Sequence, residues 1–522
     1  MPEIPLFNKF YKNPILIDLF QEESKLKNLH NGLELSYIDI DFLKKRDISK
    51  DQRDTLYNVL SEQYSNCGLE IPKNLKSIKN RGVFTITTGH QLCAFGGPQY
   101  FIHKIISVIK IAENLKVKYK EFDFIPMFWM ATEDHDFQEI SSLNIFNQNL
   151  SVNQKDSIGV GKLKPEIFSP ILEELKEIFK NDSRFNYLES IFSSALNQSN
   201  WSNATRYWVN EIFKNQNLLI IDADDSRLKK IFLPVFQKEL EQQFIHSSVE
   251  KTNNLIKGLG FTPKINPRKL NLFYLDDNQR HRIVLENKVF KISNREFSKE
   301  QIIRELNSSP EKFSPNVLMR PLYQESILPN LIYIGGPSEI VYWTQLKSSF
   351  QEAAINYPIL TLRDHFFWVD RKTLSKWKDL GFSIEDLSKE PDELLKSFFL
   401  NLSSNSIDLK SEKELLNQLS VLLLKKAKSI DKSLIPSVEG SIKAIKSNLD
   451  KIQGKFLQAS KKGEEQKVNQ IKKISGLIHQ NGKLKERSES FIADFVKNQD
   501  IYIEKLKASS NSENNSLKII VY

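Results

Sequence analysis

The pattern of apolar and polar positions predicts a parallel β-sheet with helices packed on it. Residues 83–87 form an apolar, β-branched run that is typical of a buried strand, and a glycine-containing loop over residues 88–97 follows. Pro98 suits the first position of a helix, because its missing N–H group has no partner there in any case. The apolar residues that follow recur at helical spacing, at Ile102, Ile105, Ile106, Ile109 and Ala112.

Further strands are predicted along the first 370 residues. Residues 124–131 are almost continuously apolar, which favours a central strand buried on both faces, and the order strand, helix, strand indicates a βαβ unit. Residues 217–222 and 331–336 and the segment 357–366 complete the predicted sheet. Helical segments before residue 80 are expected to cover it. Two stretches, about 145–215 and 258–312, are predicted insertions. The second is expected to form short antiparallel strands. A long helix is predicted over about 226–257, between the two insertions.

Beyond residue 370 the pattern changes to one that is typical of long helices. A heptad-like seam runs along one of them, at Val438, Ile442, Ile445, Leu449, Ile452, Phe456 and Ala459. Flanking helices are predicted over about 411–431 and 485–507. We therefore expect a core domain at residues 1–370, an α-helical coiled-coil domain at 371–510, and a tail at 511–522 that can return to the core. The seam predicts a homodimer; an intramolecular helical hairpin is the alternative.

Composition narrows the protein class. The 522 residues are 40% hydrophobic and 27% charged, with a net charge of +9, which is modest for this length. Lysines concentrated on helices favour a solvated surface over nucleic-acid binding. The two cysteines have no metal or disulfide spacing, the N-terminus lacks a signal-peptide layout, and no apolar run is long enough for a membrane span. The expectation is a cytoplasmic protein with no membrane or nucleic-acid partner.

Two similar junctions carry the first candidate chemistry. The strand before Gly89, His90 and Gln91 leads into Gly96, Gly97 and Pro98, and a second strand ends in Gly335, Gly336 and Pro337 before another helix. Helix N-termini beside glycines can bind anions, and parallel strands present such loops at one sheet edge. The alternative is a pair of tight turns without a ligand.

Ionisable residues follow the second strand. Glu133, Asp134, His135 and Asp136 can bind an amine or Mg²⁺ or act as general base; the alternative is a helix N-cap with acidic first-turn residues. If the strand geometry persists, Asp134 and Asp136 share one side. No metal-ligand spacing is present, and no metal site is predicted from the protein's own residues.

Four long motifs make the chain resemble the bacillithiol synthase family, the cysteine-adding enzymes of bacillithiol biosynthesis. They are TGHQLCAFGGPQYFIHK, PMFWMATEDHDFQEI, NVLMRPLYQESILPNLIYIGGPSEIVYWTQLK and GKLKERSESF, in order along nearly the whole chain. The resemblance implies a Rossmann-like core with connecting insertions and a dimerising C-terminal coiled coil. It also implies ligation of L-cysteine to the amine of glucosaminyl-malate, with ATP as activator. Mg²⁺ is a further cofactor that the acidic residues after the second strand could hold.

The resemblance and the residue patterns together give the candidate site. The predicted catalytic residues are Asp134, His135, Asp136 and His90. The predicted binding residues are Gly89, Gln91, Gly96, Gly97, Tyr100, Lys104, Glu133, Gly335, Gly336, Glu339, Tyr342 and Trp343. The open alternatives are another ATP-dependent ligase or nucleotidyltransferase and a non-catalytic coiled-coil scaffold.

Overall fold

The computed structural model describes residues 2–44, 46–154, 159–276, 279–402, 409–480, 483–499, 501–511 and 515–522. The chain forms two compact units. The first comprises residues 5–367 and 486–520, and the second comprises 2–4, 368–485 and 521–522. The boundary between the two domains was predicted at residue 370. The predicted helical domain ended at residue 510, whereas in the structure residues 486–520 belong to the first unit. None of the helices in the described part of the chain has the length and apolar character that a membrane span requires.

The first unit is built on a sheet of five parallel strands. Across the sheet they lie in the order Ile359–Leu362, Asn330–Gly335, Val83–His90, Asp123–Met130 and Leu219–Asp222. Numbered along the chain this order is 5-4-1-2-3, so the winding reverses between Val83–His90 and Asn330–Gly335. Ligands of doubly wound sheets bind at such a reversal, outside the carboxyl ends of the strands. The predicted α/β, Rossmann-like core is therefore confirmed.

The first strand–helix unit differs in detail from the prediction. The strand Val83–His90 continues three residues further, because its ladder with the next strand extends to the pair His90 and Met130. The helix Tyr100–Lys118 begins two residues after Pro98. Between them lies a tight 3₁₀ turn, Ala94–Gly96. The predicted loop is thus shorter and more folded than its glycine content indicated.

Further strands and helices accompany the parallel sheet, most of them in the first unit. An antiparallel sheet occupies the second predicted insertion and extends one strand beyond it, in the order Arg295–Phe297, Val289–Ile292, Arg280–Glu286, Leu272–Leu275, Phe313–Pro315. The first insertion contains the hairpin Ser142–Ile145 and Gln148–Ser151. His365–Val369 and Ser516–Val521 are neighbours in a further small sheet. The α-helices are Pro14–Leu19, Ile40–Lys44, Lys50–Ser65, Tyr100–Lys118, Phe137–Ile140, Ser169–Phe179, Asn186–Leu196, Trp201–Ile212, Ser226–Gln242, Phe244–Gly258, Lys299–Ser308, Arg320–Ile327, Pro337–Thr344, Lys347–Glu352, Ile492–Asn498 and Tyr502–Ser509.

Two predicted helices are divided in the structure. The helix expected over about 226–257 breaks at Gln243, whose φ of 50° is left-handed and cannot continue a helix. The helix expected over about 485–507 is a 3₁₀ turn, Lys485–Arg487, followed by two short helices. Apolar periodicity continued through both breaks, so the pattern alone gave no stop signal.

The second unit is helical. Its α-helices are Arg371–Asp379, Pro391–Leu402, Lys410–Ile430, Ile435–Gly463 and Glu465–Ser475. The third and fourth of these pack side by side as a hairpin, in which Lys413 Nζ lies 2.7 Å from Asp450 Oδ1 and 3.1 Å from Gln453 Oε1. Part of the predicted seam stays exposed, including Ile445, Ile452 and Phe456. The side chain of Ala459 lies outside the described residues.

Candidate active site at the carboxyl edge of the sheet

A cavity of about 560 Å³ lies at the carboxyl ends of the central strands, where the winding reverses. Both predicted junctions contribute to its wall. The predicted site residues that line it are Gly89, His90, Gln91, Tyr100, Lys104, Glu133, Asp134, Gly336, Glu339 and Tyr342. The sheet topology therefore brings together residues separated by some 250 positions in the chain, as expected for parallel strands that end at one edge.

Lys104 connects the two junctions. Its buried Nζ donates to the Gly89 carbonyl at 2.8 Å and forms an ion pair with Glu339 Oε2 at 2.5 Å. Glu339 in turn accepts from the Gly336 N–H at 2.7 Å and from the Tyr333 hydroxyl at 2.7 Å. Burial acts to raise the pKa of Glu339, but Lys104 outweighs it and the pKa is lowered. The Gly336 N–H group is consequently already used by its own helix cap.

His90 is a buried, neutral imidazole. Burial, with a smaller effect from Lys104, lowers its pKa to about 3. Its Nδ1 lies 2.7 Å from the Gln91 carbonyl and must donate to it, so Nε2 carries the lone pair. His90 can therefore accept a hydrogen bond from a hydroxyl or amine. It does not supply a positive charge to the cavity at neutral pH.

Asp134 is an ionised group inside the cavity. Gln91 Nε2 donates to its Oδ2, and Arg280 Nη1 lies 3.4 Å from its Oδ1. Burial acts to raise the pKa of Asp134, but these partners outweigh it and the pKa is lowered. Glu139 lines the same cavity and shows the opposite shift: burial, Asp134 and Asp136 raise its pKa. Two carboxyl groups of different basicity therefore face one space.

Glu133 is held by a buried lysine. Lys229 Nζ lies 2.7 Å from Glu133 Oε1 and 2.6 Å from Asp224 Oδ1. Burial raises the pKa of Glu133. Although Glu133 contributes to the cavity wall, its charge is engaged with Lys229. Among the described residues, no group of three His, Cys, Asp or Glu side chains is arranged to hold a metal ion.

Four arginines line the cavity, and sequence reasoning selected none of them: Arg280, Arg320, Arg363 and Arg487. Within the described structure, Arg280 Nε, Arg320 Nη2 and Arg363 Nε are buried and have no hydrogen-bond partner. Buried N–H donors without partners are costly, and oxygens of a carboxylate or phosphate would satisfy them. Single arginines far apart in sequence give no periodic signal, although Arg320 and Arg487 each lie within one of the quoted motifs.

The glycine turn of the first junction does not open into the cavity, which corrects the predicted role of Gly96 and Gly97. Their N–H groups donate to the carbonyls of Cys93 and Ala94, and the Gln99 N–H donates to the Glu489 carbonyl. A Cβ on Gly96 would lie 2.9 Å from the Phe491 ring. These N–H groups are therefore used for folding rather than left free for an anion.

His135 and Asp136 also lie outside the cavity wall, which corrects the predicted pair of facing aspartates. The strand ends at Met130, so the alternation of side chains does not reach Asp134. Asp136 instead caps the short helix Phe137–Ile140, accepting from the Gln138 N–H at 3.1 Å. The helix-cap alternative describes Asp136 correctly.

Trp343 and Gly335 of the second junction also lie outside the cavity wall and are used in packing and backbone hydrogen bonding. Trp343 is fully buried and stacks on Tyr333, with ring centroids 4.2 Å apart. The Gly335 carbonyl accepts from the Arg363 N–H at 3.0 Å.

Cys93 does line the cavity, but burial raises its thiol pKa to about 12 and keeps it protonated.

Comparison with known families decides the relationship. The N-terminal Rossmann-like domain of bacillithiol biosynthesis BshC matches residues 2–364, and the C-terminal coiled-coil domain of the same family matches residues 366–522. The chain belongs to the BshC family. Its two BshC domain matches meet close to residue 367, where the two compact units divide.

Curated BshC relatives match over almost their whole length. A protein of Flavobacterium johnsoniae named "Putative cysteine ligase BshC" is 36% identical, over 95% of this chain and 93% of its own. Proteins with the same name from Christiangramia forsetii and Flavobacterium psychrophilum are each 34% identical, over 98% and 95% of this chain and 97% and 94% of their own.

Proposed function

We propose that this BshC-family chain ligates L-cysteine to the amine of glucosaminyl-malate and so forms bacillithiol, at the expense of ATP. The observation that carries the proposal is one cavity that holds both carboxylates and, among the described residues, buried N–H donors without partners. Asp134 and Glu139 form what we call the acidic pole, and Arg320 and Arg363 supply the donors of what we call the basic pole. An acceptor that carries an amine and two carboxylates is complementary to such a cavity.

The acidic pole suits the amine of the acceptor. An ionised Asp134, held in place by Gln91, can bind the ammonium form and orient its nitrogen. Glu139 has the higher pKa and is the better proton acceptor, because a general base works best when its pKa lies near the working pH. We therefore assign amine binding to Asp134 and proton removal to Glu139. His90 Nε2 can accept a hydrogen bond from a sugar hydroxyl.

The basic pole suits the anionic groups. The unpartnered nitrogens of Arg320 and Arg363 fit the oxygens of a carboxylate or a phosphate equally well. ATP, when bound, would supply the leaving group on the cysteine carboxylate, and Mg²⁺ would accompany its phosphates. The amine nitrogen then attacks the carbonyl carbon, a C–N bond forms as the leaving group departs, and the proton passes to Glu139.

A coupled mass-spectrometric assay tests this function. Purified protein is incubated with L-cysteine, glucosaminyl-malate, Mg²⁺ and ATP, and parallel samples omit each component. The expected product is the cysteinyl amide, formed only when ATP is present. The nucleotide product, AMP or ADP, identifies the leaving group. Turnover with a different amine, or none with glucosaminyl-malate, would contradict the proposed acceptor.

A further inference from the structure

The segment that follows the helical unit contributes to the cavity through consecutive residues. The 3₁₀ turn Lys485–Arg487 presents Arg487 to the cavity and buries Glu486 behind it, with Glu486 only 3% exposed. The candidate mechanism does not use Glu486. A buried carboxylate so close to the site must be balanced by its surroundings, since an uncompensated buried charge is strongly destabilising.

Glu486 is surrounded by four donors from two other elements of the first unit. Its Oε1 lies 2.6 Å from Arg363 Nη2 and 2.7 Å from His365 Nδ1. Its Oε2 lies 3.0 Å from Arg363 Nη1 and 2.9 Å from His103 Nδ1. Burial, with the Arg363 charge, lowers the pKa of His365 to about 4, and burial lowers that of His103. Both imidazoles are therefore neutral donors at neutral pH. Burial acts to raise the pKa of Glu486, but Arg363 and the two imidazoles together outweigh it and the pKa is lowered.

This arrangement leaves one N–H group of Arg363 without a partner among the described residues. Both terminal nitrogens face Glu486, and the guanidinium lies 5.1 Å from the centre of the Tyr100 ring. The backbone N–H of Arg363 is fixed to the Gly335 carbonyl. The buried Nε has no hydrogen-bond partner in the described structure, and Arg363 lines the cavity. A planar guanidinium gripped at one edge has its remaining N–H direction fixed.

We propose that Glu486 is a positioning residue that holds the Arg363 guanidinium so that its Nε–H donates to an oxygen of the acceptor's carboxylate. This rests on the proposed function and adds a specificity element from the C-terminal segment to the same cavity. Because the Arg363 charge is matched by Glu486, Arg363 acts as a directional donor. Substrate affinity therefore depends on a carboxylate that never touches the substrate.

The test compares Glu486→Gln with Arg363→Lys in the full-length protein. Glutamine keeps the volume of Glu486 but turns one acceptor oxygen into an NH₂ group that faces donors, so Arg363 must shift. Lysine keeps the charge at 363 and loses the Nε–H. Each variant should raise KM for glucosaminyl-malate about tenfold or more, with kcat within about threefold of wild type. Both substitutions act on one contact. The KM of the double variant should therefore be no higher than the KM of the more impaired single variant.

Asp364→Asn is the matched control. Asp364 is the adjacent residue, and it forms an equally buried ion pair with Lys518 at 2.7 Å, but it does not line the cavity. Its loss should lower thermal stability and leave KM unchanged. An unchanged KM in folded Glu486→Gln, or additive effects in the double variant, would overturn the positioning role. If Glu486→Gln does not fold, an unchanged KM in Arg363→Lys is by itself enough to overturn the positioning role. A wild-type protein that neither binds nor converts glucosaminyl-malate would instead overturn the proposed function itself.

Discussion

At the scale of single residues, burial and neighbouring charge decide which candidate groups can act. His90 and Asp134 both line the cavity, yet the low pKa of His90 comes from burial and that of Asp134 from donated hydrogen bonds. The first is therefore neutral and the second ionised at neutral pH. Both shifts strengthen the charge state that the reference pKa values already favour at neutral pH, but their causes depend on tertiary contacts that residue type does not give.

Asp134 and Asp136 provide the sharpest test of the acidic pole. Asp134→Asn removes the charge that we propose binds the amine, and we expect kcat/KM to fall about 10²-fold or more. Asp136→Asn should retain near-wild-type activity, because asparagine caps a helix as well as aspartate does. Steady-state kinetics with varied glucosaminyl-malate measure both effects.

The outcome separates this assignment from the pair of facing aspartates. Equal losses in the two variants would restore Asp136 to the site. Full activity of Asp134→Asn would show that the acidic pole does not bind the amine. Circular dichroism and thermal melting of both variants control for folding.

Glu325 is expected to make stability depend on pH. It is buried and accepts from Gln324 and Asn330, and burial raises its pKa from 4.5 to about 7. Below pH 4.5 it is protonated in both folded and unfolded states, so it has no effect. As pH rises from 4.5 to 7 only the unfolded state ionises, and stability falls, by about 3 kcal/mol in full.

Glu325→Gln should remove this dependence. Glutamine keeps the accepting oxygen and cannot ionise, so the variant should be more stable than wild type above pH 7 and similar below pH 4.5. Urea unfolding at several pH values measures the difference. A constant difference across that range would show that the Glu325 carboxyl does not titrate with a raised pKa.

At the scale of elements, the glycines of the first junction do different work. Gly89 lies next to the end of a strand in the cavity wall, whereas Gly96 and Gly97 adopt φ values of 90° and 55° in a closed turn. Apolar runs and helical periodicity were enough to predict the strands, their parallel direction and the sheet edge, but not the order of the strands. Backbone conformation in the loop was not predictable, since it depends on Phe491 and Glu489, which come from the far end of the chain.

Alanine at the two glycines should separate these roles. A Cβ on Gly89 would meet Tyr333 Oη at 3.5 Å and Arg320 Nη1 at 3.8 Å, which are ordinary contacts. Gly89→Ala should therefore fold with a free energy of unfolding within about 1 kcal/mol of wild type, and raise KM by filling the cavity. Gly96→Ala should lose about 1–3 kcal/mol through its positive φ and the Phe491 contact, with KM unchanged.

Chemical denaturation and kinetics on the same preparations check this pair. A Gly96→Ala variant with wild-type stability and a raised KM would place the first turn in the ligand site. A Gly89→Ala variant with unchanged kinetics would remove Gly89 from it.

The cavity as a whole was only partly predictable. Residues next to strand ends, such as Lys104 and Glu339, were found because the parallel sheet brings those ends together. Arg280 and Arg487 come from an antiparallel insertion and from a turn beyond the helical unit, and no local pattern connects them to the sheet. Their placement is a property of the tertiary fold.

At the scale of the whole molecule, the helical hairpin leaves apolar side chains exposed. Leu415, Leu422, Ile445, Ile452 and Phe456 are each more than 40% accessible. A surface of this kind on a heptad pattern favours association with a second copy. We expect a homodimer at micromolar concentration, and Ile452→Lys should shift it toward monomer, measured by light scattering.

Ser447→Lys is the control for this experiment. It adds the same charge to an exposed polar position of the same helix and should leave the dimer intact. A monomeric wild-type protein would show that the hairpin is complete by itself. Equal dissociation of both variants would point to charge repulsion rather than apolar contact.

The discontinuity of the first unit has a consequence for synthesis. Arg363 and Asp364 emerge from the ribosome before the helical unit, while their partners Glu486 and Lys518 follow it. At ordinary translation rates the intervening residues 368–485 take on the order of ten seconds to make. During that interval a nascent chain has the central sheet but lacks Arg487 and the counter-charges behind the cavity. Catalytic competence is therefore acquired only after the helical unit has been translated, and ribosome-bound chains that stop before residue 486 should carry an incomplete site.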